Sequence, residues 1–360
     1  GCSIAYHLAK GGASVVILER ESVGCEASGV ATGAISIMAI DLPGPFLDLA
    51  KASSELYETL APELQETSGI DFHYGELSRL YLAFTEEEEE DNRATMSWKT
   101  GLGPKVSWLN ADDIRRVEPR ISPEARSGLF FEGMTQADAY SLTLAFTRAA
   151  ESLGATFKYA EATGLATKEG KVTGVATPNG VIGCDAAVIA MGAWTGYVEP
   201  WIGMPVPVEP LKGQIIQLQA PGPPLACTLN HGSDYVTSKL DGSILAGAFD
   251  GLEGFDKRIS EQGRRHIMKE VLKICPAMQD ATVVADLVGL RPSTRDELPI
   301  MGPVPGLEGA YVATGHRRKG ITLAAITGET MAQLVLGEQP RVPLEPFSLA
   351  RFSNDADAPE

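Results

Sequence analysis

Gly1 and Glu19 stand eighteen positions apart, separated by one helical stretch, a glycine pair and an apolar run. In GCSIAYHLAKGGASVVILER, Ile4, Ala5, Leu8 and Ala9 recur at helical spacing, which predicts a helix over 2–10. Gly11 and Gly12 end it, since glycine takes a left-handed cap without a Cβ clash. The continuous run Val15, Val16, Ile17 and Leu18 predicts a parallel strand covered on both faces. A glycine opening a helix, followed ~20 residues later by an acidic residue at a strand end, is how a dinucleotide is held. The helix N-terminus receives phosphate and the carboxylate receives ribose hydroxyls. On this reading the first strand and first two glycines lie upstream of residue 1, and the sequence is truncated. The same pattern also serves any α/β unit whose strand ends in Glu.

The elements needed to position such a site fit within 360 residues, enough for roughly two domains and a large core. A net charge of −17 argues against a nucleic-acid partner. No run approaches the ~20 apolar residues of a membrane span. Five scattered cysteines without a C-x-x-C pair suggest neither a zinc site nor a disulfide framework, so no metal is expected. They point to a reducing, cytoplasmic compartment; a peripheral membrane association and a removed signal peptide stay open. The absence of G-x-S-x-G and H-E-x-x-H sets hydrolase readings aside.

Further along, ESVGCEASGVATGAIS is rich in small residues that let backbone approach a ligand. A helix is predicted over 47–68, and the acidic run 86–91 reads as a solvated helix start or loop. Asp138 reads as the N-cap of a helix closed by Gly154, and Asn179-Gly180 as a hairpin turn. Residues 187–190 predict a buried strand. Residues 200–285 predict an antiparallel sheet with one helix near 261–274. GAYVATG predicts a strand, and ITLAAITGETMAQLVLG a helix ending at Gly337.

Five segments in order, GCSIAYHLAKGGASVVILER, GCEASGVATGAIS, VIAMGAWTG, GLRPSTRDELPIMGPVPG and GHRRKGITLAAITG, resemble the D-amino acid oxidase-like family of FAD-dependent oxidoreductases. The resemblance is to its glycine oxidase, sarcosine oxidase and D-amino acid dehydrogenase branch. It implies an α/β (α+β) fold: a Rossmann-like FAD-binding domain, its first strand missing here, with an inserted substrate domain on a large antiparallel sheet. The division expected is 1–45, 128–200 and 286–350 for FAD, 46–127 and 201–285 for substrate, and 351–360 as a tail.

The resemblance also implies roles. Gly1 and Glu19, with Arg20 beside it, would hold phosphate and ribose. Ser28 would donate to phosphate, and Thr32, Gly33 and Ala34 would bring backbone to the flavin. Thr163 would meet adenine through its backbone. Ala190, Gly192 and Trp194 match a small-residue strand end near the cofactor, and Gly289 of the GLRP segment would also meet the cofactor. Arg291 would grip the substrate carboxylate with two parallel hydrogen bonds. Tyr235 either joins that grip or packs its ring. Arg318 would face substrate or flavin, with Lys319, Gly320, Ile321 and Thr322 at the pyrimidine edge; Lys319 stands where the family commonly has asparagine. His316 reads as structural.

FAD is expected to be non-covalent, because Leu290 aligns near the position that is a flavin-linking cysteine in some sarcosine oxidases. The reaction implied is hydride transfer from Cα of glycine, sarcosine or a D-amino acid to flavin N5, giving an imine that hydrolyses to a 2-oxo acid. The strand end ILAGAF lacks the lysine that monomeric sarcosine oxidases use to activate oxygen. Oxygen, a quinone or a protein acceptor therefore all stay open. So do a D-amino acid, hydroxyproline or opine dehydrogenase, a homo-oligomer, and a flavin subunit of a multi-subunit oxidase.

Overall fold

Two helices that meet the expected cofactor segments, one near each end of the chain, pack side by side. Cys2–Lys10 (α1) lies against Gly320–Val335 (α9). Their contact is close because Gly328 leaves no room for a Cβ beside Ser3 and His7. The structure is a computed structural model and describes residues 1–37, 43–103, 105–239 and 241–352. Residues 353–360 of the expected tail lie outside these.

The other helices are Ala27–Val30 (α2), Pro45–Ser68 (α3), Glu86–Lys99 (α4), Ala111–Val117 (α5), Ala139–Ser152 (α6), Glu199–Ile202 (α7) and Glu261–Ile274 (α8). The strands are Val16–Glu19 (β1), Ala34–Ile35 (β2), Gly75–Glu76 (β3), Arg79–Ala83 (β4), Lys105–Asn110 (β5), Ser127–Glu132 (β6), Thr135–Gln136 (β7) and Thr156–Tyr159 (β8). They continue with Gly164–Lys168 (β9), Lys171–Thr177 (β10), Gly180–Gly183 (β11), Ala187–Ile189 (β12), Val208–Gln219 (β13), Thr228–His231 (β14) and Asp234–Ser238 (β15). The last four are Ile244–Gly251 (β16), Thr282–Thr294 (β17), Ile300–Pro303 (β18) and Ala310–Thr314 (β19).

An eight-stranded sheet in the order β17-β13-β16-β15-β14-β4-β6-β5 forms the larger layer. It is antiparallel except for β14 beside β4, which run parallel. One face carries α8 over a core of Ile216, Leu218, Val236, Ala246 and Ile267. The other face, with Ile215, Leu245, Tyr235 and Leu287, packs against Val30 of α2. The second layer holds α1, α3, α6 and α9 around Tyr6, Tyr57, Leu64 and Phe146. The smaller sheets are β1 with β8 in parallel, β12-β19-β18, β11-β10-β9 and β2-β7-β3.

The local signals work as expected. Asp138 caps α6 by accepting from Ser141 N at 2.9 Å. Thr85 and Glu88 form a full capping box, so the acidic run begins α4 as an N-terminus favouring negative charge. Gly180 turns the β10–β11 hairpin at φ 114°. Two features differ. The run 15–18 is half-exposed rather than covered on both faces, with Val16 41% exposed; among the described residues β1 pairs only with β8. And α3, placed with the inserted domain by chain order, packs on α6 and α9, while β6 and all of β17 lie in the eight-stranded sheet.

Candidate active site

The face of the large sheet beneath α2 carries the charged side chains. On this face Arg291 of β17 reaches across Gly213 of β13 and donates from Nη1 to Oδ1 of Asp250 on β16 at 2.7 Å. A Cβ on Gly213 would fall inside that guanidinium. Arg318, in the short turn Arg317–Lys319 that leads into α9, donates from Nη2 to Oδ2 of the same carboxylate. Asp250 therefore bridges two arginines. Burial disfavours its charge, but Arg291 and Arg318 outweigh this and hold the carboxyl below its ordinary range.

A bulge aims Asp250. Gln214 pairs with Phe249, but the next residue, Ile215, pairs with Gly247, so Ala248 is skipped. Strict alternation would put Asp250 in phase with Ile244 and Ala246, on the α8 face. The extra residue flips it to the face of Gly213 and Ile215.

Tyr235, opposite Gly247 on β15, lies across that glycine, where a Cβ would come within 2.9 Å of its hydroxyl. Burial pushes its phenol up to about 12, opposed by the fields of Arg291, Arg79 and Arg318. It is thus a neutral hydroxyl at physiological pH, facing the same arginines. The structure brings Arg291, Arg318 and Tyr235 to one region of this face. Asp250, Gly213 and Arg79 were not anticipated, although Asp250 directly follows the strand run ILAGAF and Gly213 opens the strand run GQIIQLQ.

The remaining predicted residues fall into two groups. Around α1, a Cβ on Gly1 would stand 3.7 Å from that of Ala190. Glu19 ends β1 and accepts from Glu21 N at 2.9 Å. Arg20 lies 4.7 Å over the Trp194 ring. Gly192 adopts φ 55°, and its carbonyl accepts from Thr195 and from Thr314 at 2.9 Å. The Thr163 amide is taken by the Ala176 carbonyl at 2.9 Å, which leaves no free N–H there for a ligand.

Between α2 and α9, Ser28 lies within α2, and Gly289 admits that helix, since a Cβ there would strike Val30 and Ala27. Gly33, at φ 85°, presses its backbone on the Ala137 carbonyl. Thr32 O accepts from Lys239 Nζ at 3.1 Å, and Ala34 O from Thr322 Oγ1 at 3.0 Å. Lys319 N donates to His316 O at 2.8 Å. Gly320 begins α9, and the Ile321 carbonyl accepts from Tyr57. The Thr322 hydroxyl is thus turned into the fold. His316 binds Thr327 at 3.0 Å, and burial lowers its pKa to about 4, so it is a neutral, anchored ring.

The loop after β16 joins the two sides. Buried Lys212 holds Glu253 and the Arg258 carbonyl, both at 2.5 Å. Phe255 packs on Trp194 and Tyr197, and Lys257 pairs with Glu26 at 2.9 Å.

The donor set suits FAD. A helix N-terminus, an acidic strand end and the Ser28 hydroxyl of α2 are donors and acceptors of the kind phosphate and ribose need, and Gly289 lets α2 pack on β17 of the large sheet. A dinucleotide-binding layer facing a sheet armed with guanidinium groups defines an FAD-dependent oxidoreductase. Comparison with known proteins agrees: the chain belongs to the FAD dependent oxidoreductase (DAO) family, which it matches over residues 1–334. Glycine oxidase of Geobacillus kaustophilus is 34% identical over 98% of this chain and 94% of that protein. Its crystal structure superposes with a TM-score of 0.93, at 33% identity over 98% and 95% of the two chains. Iminodiacetate oxidase from Chelativorans sp. BNC1 gives 0.89 at 28% identity, over 96% and 95%. Hydrogen cyanide synthase subunit HcnC of Pseudomonas aeruginosa is 32% identical over 92% of this chain and 81% of that protein. Among the described residues no helix is long and apolar enough to cross a membrane.

Proposed function

We propose that this chain oxidises a small amino acid or N-methyl amino acid at its CH–NH bond. The convergence of Arg291, Arg318 and Tyr235 on one sheet face under α2 carries this reading. Arg291 and Arg318 offer charge-assisted donors to a carboxylate, and Tyr235 adds a neutral hydroxyl. Fixing the carboxylate on these groups would orient Cα and the amine relative to the flavin, the positioning contribution to catalysis. FAD, when bound, supplies the two-electron acceptor. Gly1 at the start of α1 and Glu19 would hold its phosphate and ribose groups, and Thr32 to Ala34 and Gly320 to Thr322 would line its ring. No protein base is needed if the amine binds neutral, which agrees with His316 being anchored and with Asp250 held as a weak base.

Similarity to glycine oxidases supports glycine or sarcosine as the substrate class. Similarity to a hydrogen cyanide synthase subunit supports a second reading, in which the chain works as the flavin subunit of a multi-subunit enzyme.

The test is anaerobic titration of the FAD-loaded protein with glycine, sarcosine, D-alanine and D-proline, following the oxidised flavin band. Bleaching by one of these, lost in Arg291→Ala, is the expected result. Readmitting oxygen then separates oxidase from dehydrogenase. A yellow protein bleached by none of them would sink the reading.

A further inference from the structure

We propose that Asp250 restricts this site to substrates with a single carboxylate, because its own side chain occupies the place between Arg291 and Arg318 that a second carboxylate would take. The inference rests on the reading that this arginine pair receives substrate carboxylate.

Three observations support it. First, Asp250 contacts both cations through different oxygens, Oδ1 to Arg291 and Oδ2 to Arg318. A substrate carboxylate bridging the pair would make the same two contacts. Second, Asp250 is presented here by the Ala248 bulge rather than by strand alternation, and among the described residues its side chain bonds to these two arginines alone. Third, the face is strongly cationic without it: Arg291, Arg79 and Arg318 all act on Tyr235. Three guanidinium groups could hold two carboxylates. With Asp250 ionised between two of them, an incoming second carboxylate loses its donors and meets a like charge at short range. Arg291 still has Nε and Nη2 for one carboxylate, with Tyr235 beside it.

The test compares two inert ligands that differ by one carboxylate: methoxyacetate and diglycolate. Binding to the FAD-loaded protein is read from the flavin band and from the melting temperature, in the wild type, Asp250→Asn and Asp250→Ala. Asn keeps the shape and removes the charge; Ala opens the space. The wild type is expected to prefer methoxyacetate at least tenfold. Both variants should cut that preference at least tenfold, mainly through tighter diglycolate binding. Equal binding of the two by the wild type would overturn the proposal. So would an unchanged preference in variants that melt normally, or failure of both ligands to bind any form. If the preference follows Asp250 but no amino acid bleaches the flavin, Asp250's role stands and the proposed amine oxidation fails.

Discussion

The guanidinium of Arg291 lies over Gly213, in the space that a β-carbon there would fill. The two residues sit on neighbouring strands, β17 and β13, and the missing side chain lets Arg291 cross to Asp250 on β16. Gly213→Ala should therefore move the arginine without removing it. Losing a charge-assisted carboxylate contact costs about 1.5–3 kcal/mol, so KM for the amino acid should rise roughly tenfold to a hundredfold. Steady-state kinetics together with a melting curve check this. An unchanged KM in a folded variant would show that Arg291 does not hold substrate from this position.

Arg291→Lys should recover little of what Arg291→Ala loses. A lysine keeps the charge but not the planar fork, and at a bidentate site that exchange is not conservative. Both variants should lower kcat/KM by about a hundredfold or more, with lysine no better than tenfold above alanine. Near-normal kinetics for the lysine variant would mean that only charge matters here.

Gly289→Ala should weaken FAD retention. Its new β-carbon would strike Val30 and Ala27, pushing α2 away from the sheet. The ratio of flavin to protein absorbance after dialysis should fall well below the wild-type value, while far-ultraviolet circular dichroism stays unchanged. Full flavin content after dialysis would place the cofactor away from α2.

His7 on α1 should make the protein less stable in mild acid. Burial, reinforced by Lys10, lowers its pKa to about 4, against an ordinary value of 6.5. The folded-state pKa is depressed, so the unfolded chain takes up the proton first as pH falls. The stability contribution is complete above about pH 6.5 and is lost progressively towards pH 4. The loss should be about 1–3 kcal/mol, allowing for partial solvent access. Melting temperature against pH should be flatter between these values in His7→Gln; an equally steep profile would assign the acid sensitivity elsewhere.

Much of this molecule is legible in its sequence because the signals are local. The helix α1 with its glycine stop, the Asp138 cap, the Asn179-Gly180 hairpin and the boundaries of α8 follow from spacing and cap chemistry within a few residues. Arg291 and Arg318 were each singled out by motif resemblance, and the structure brings both to the Asp250 carboxylate.

What stayed hidden depends on contacts between distant residues. Periodicity could not show that α3 packs on α6 and α9, because an apolar stripe does not name its partner. Nor could it show that Thr163's amide is already bonded to Ala176. Asp250 is the sharpest case. Alternation along β16 assigns it to the α8 face, and a single skipped residue, Ala248, turns it to the arginines. A bulge is set by how two strands twist and pair, so its position is decided only when β13 and β16 meet. The amino-acid sequence alone determined most of the elements and the family, and it singled out Arg291 and Arg318. The tertiary structure decided which face each residue occupies, and with it that an internal carboxylate sits between Arg291 and Arg318.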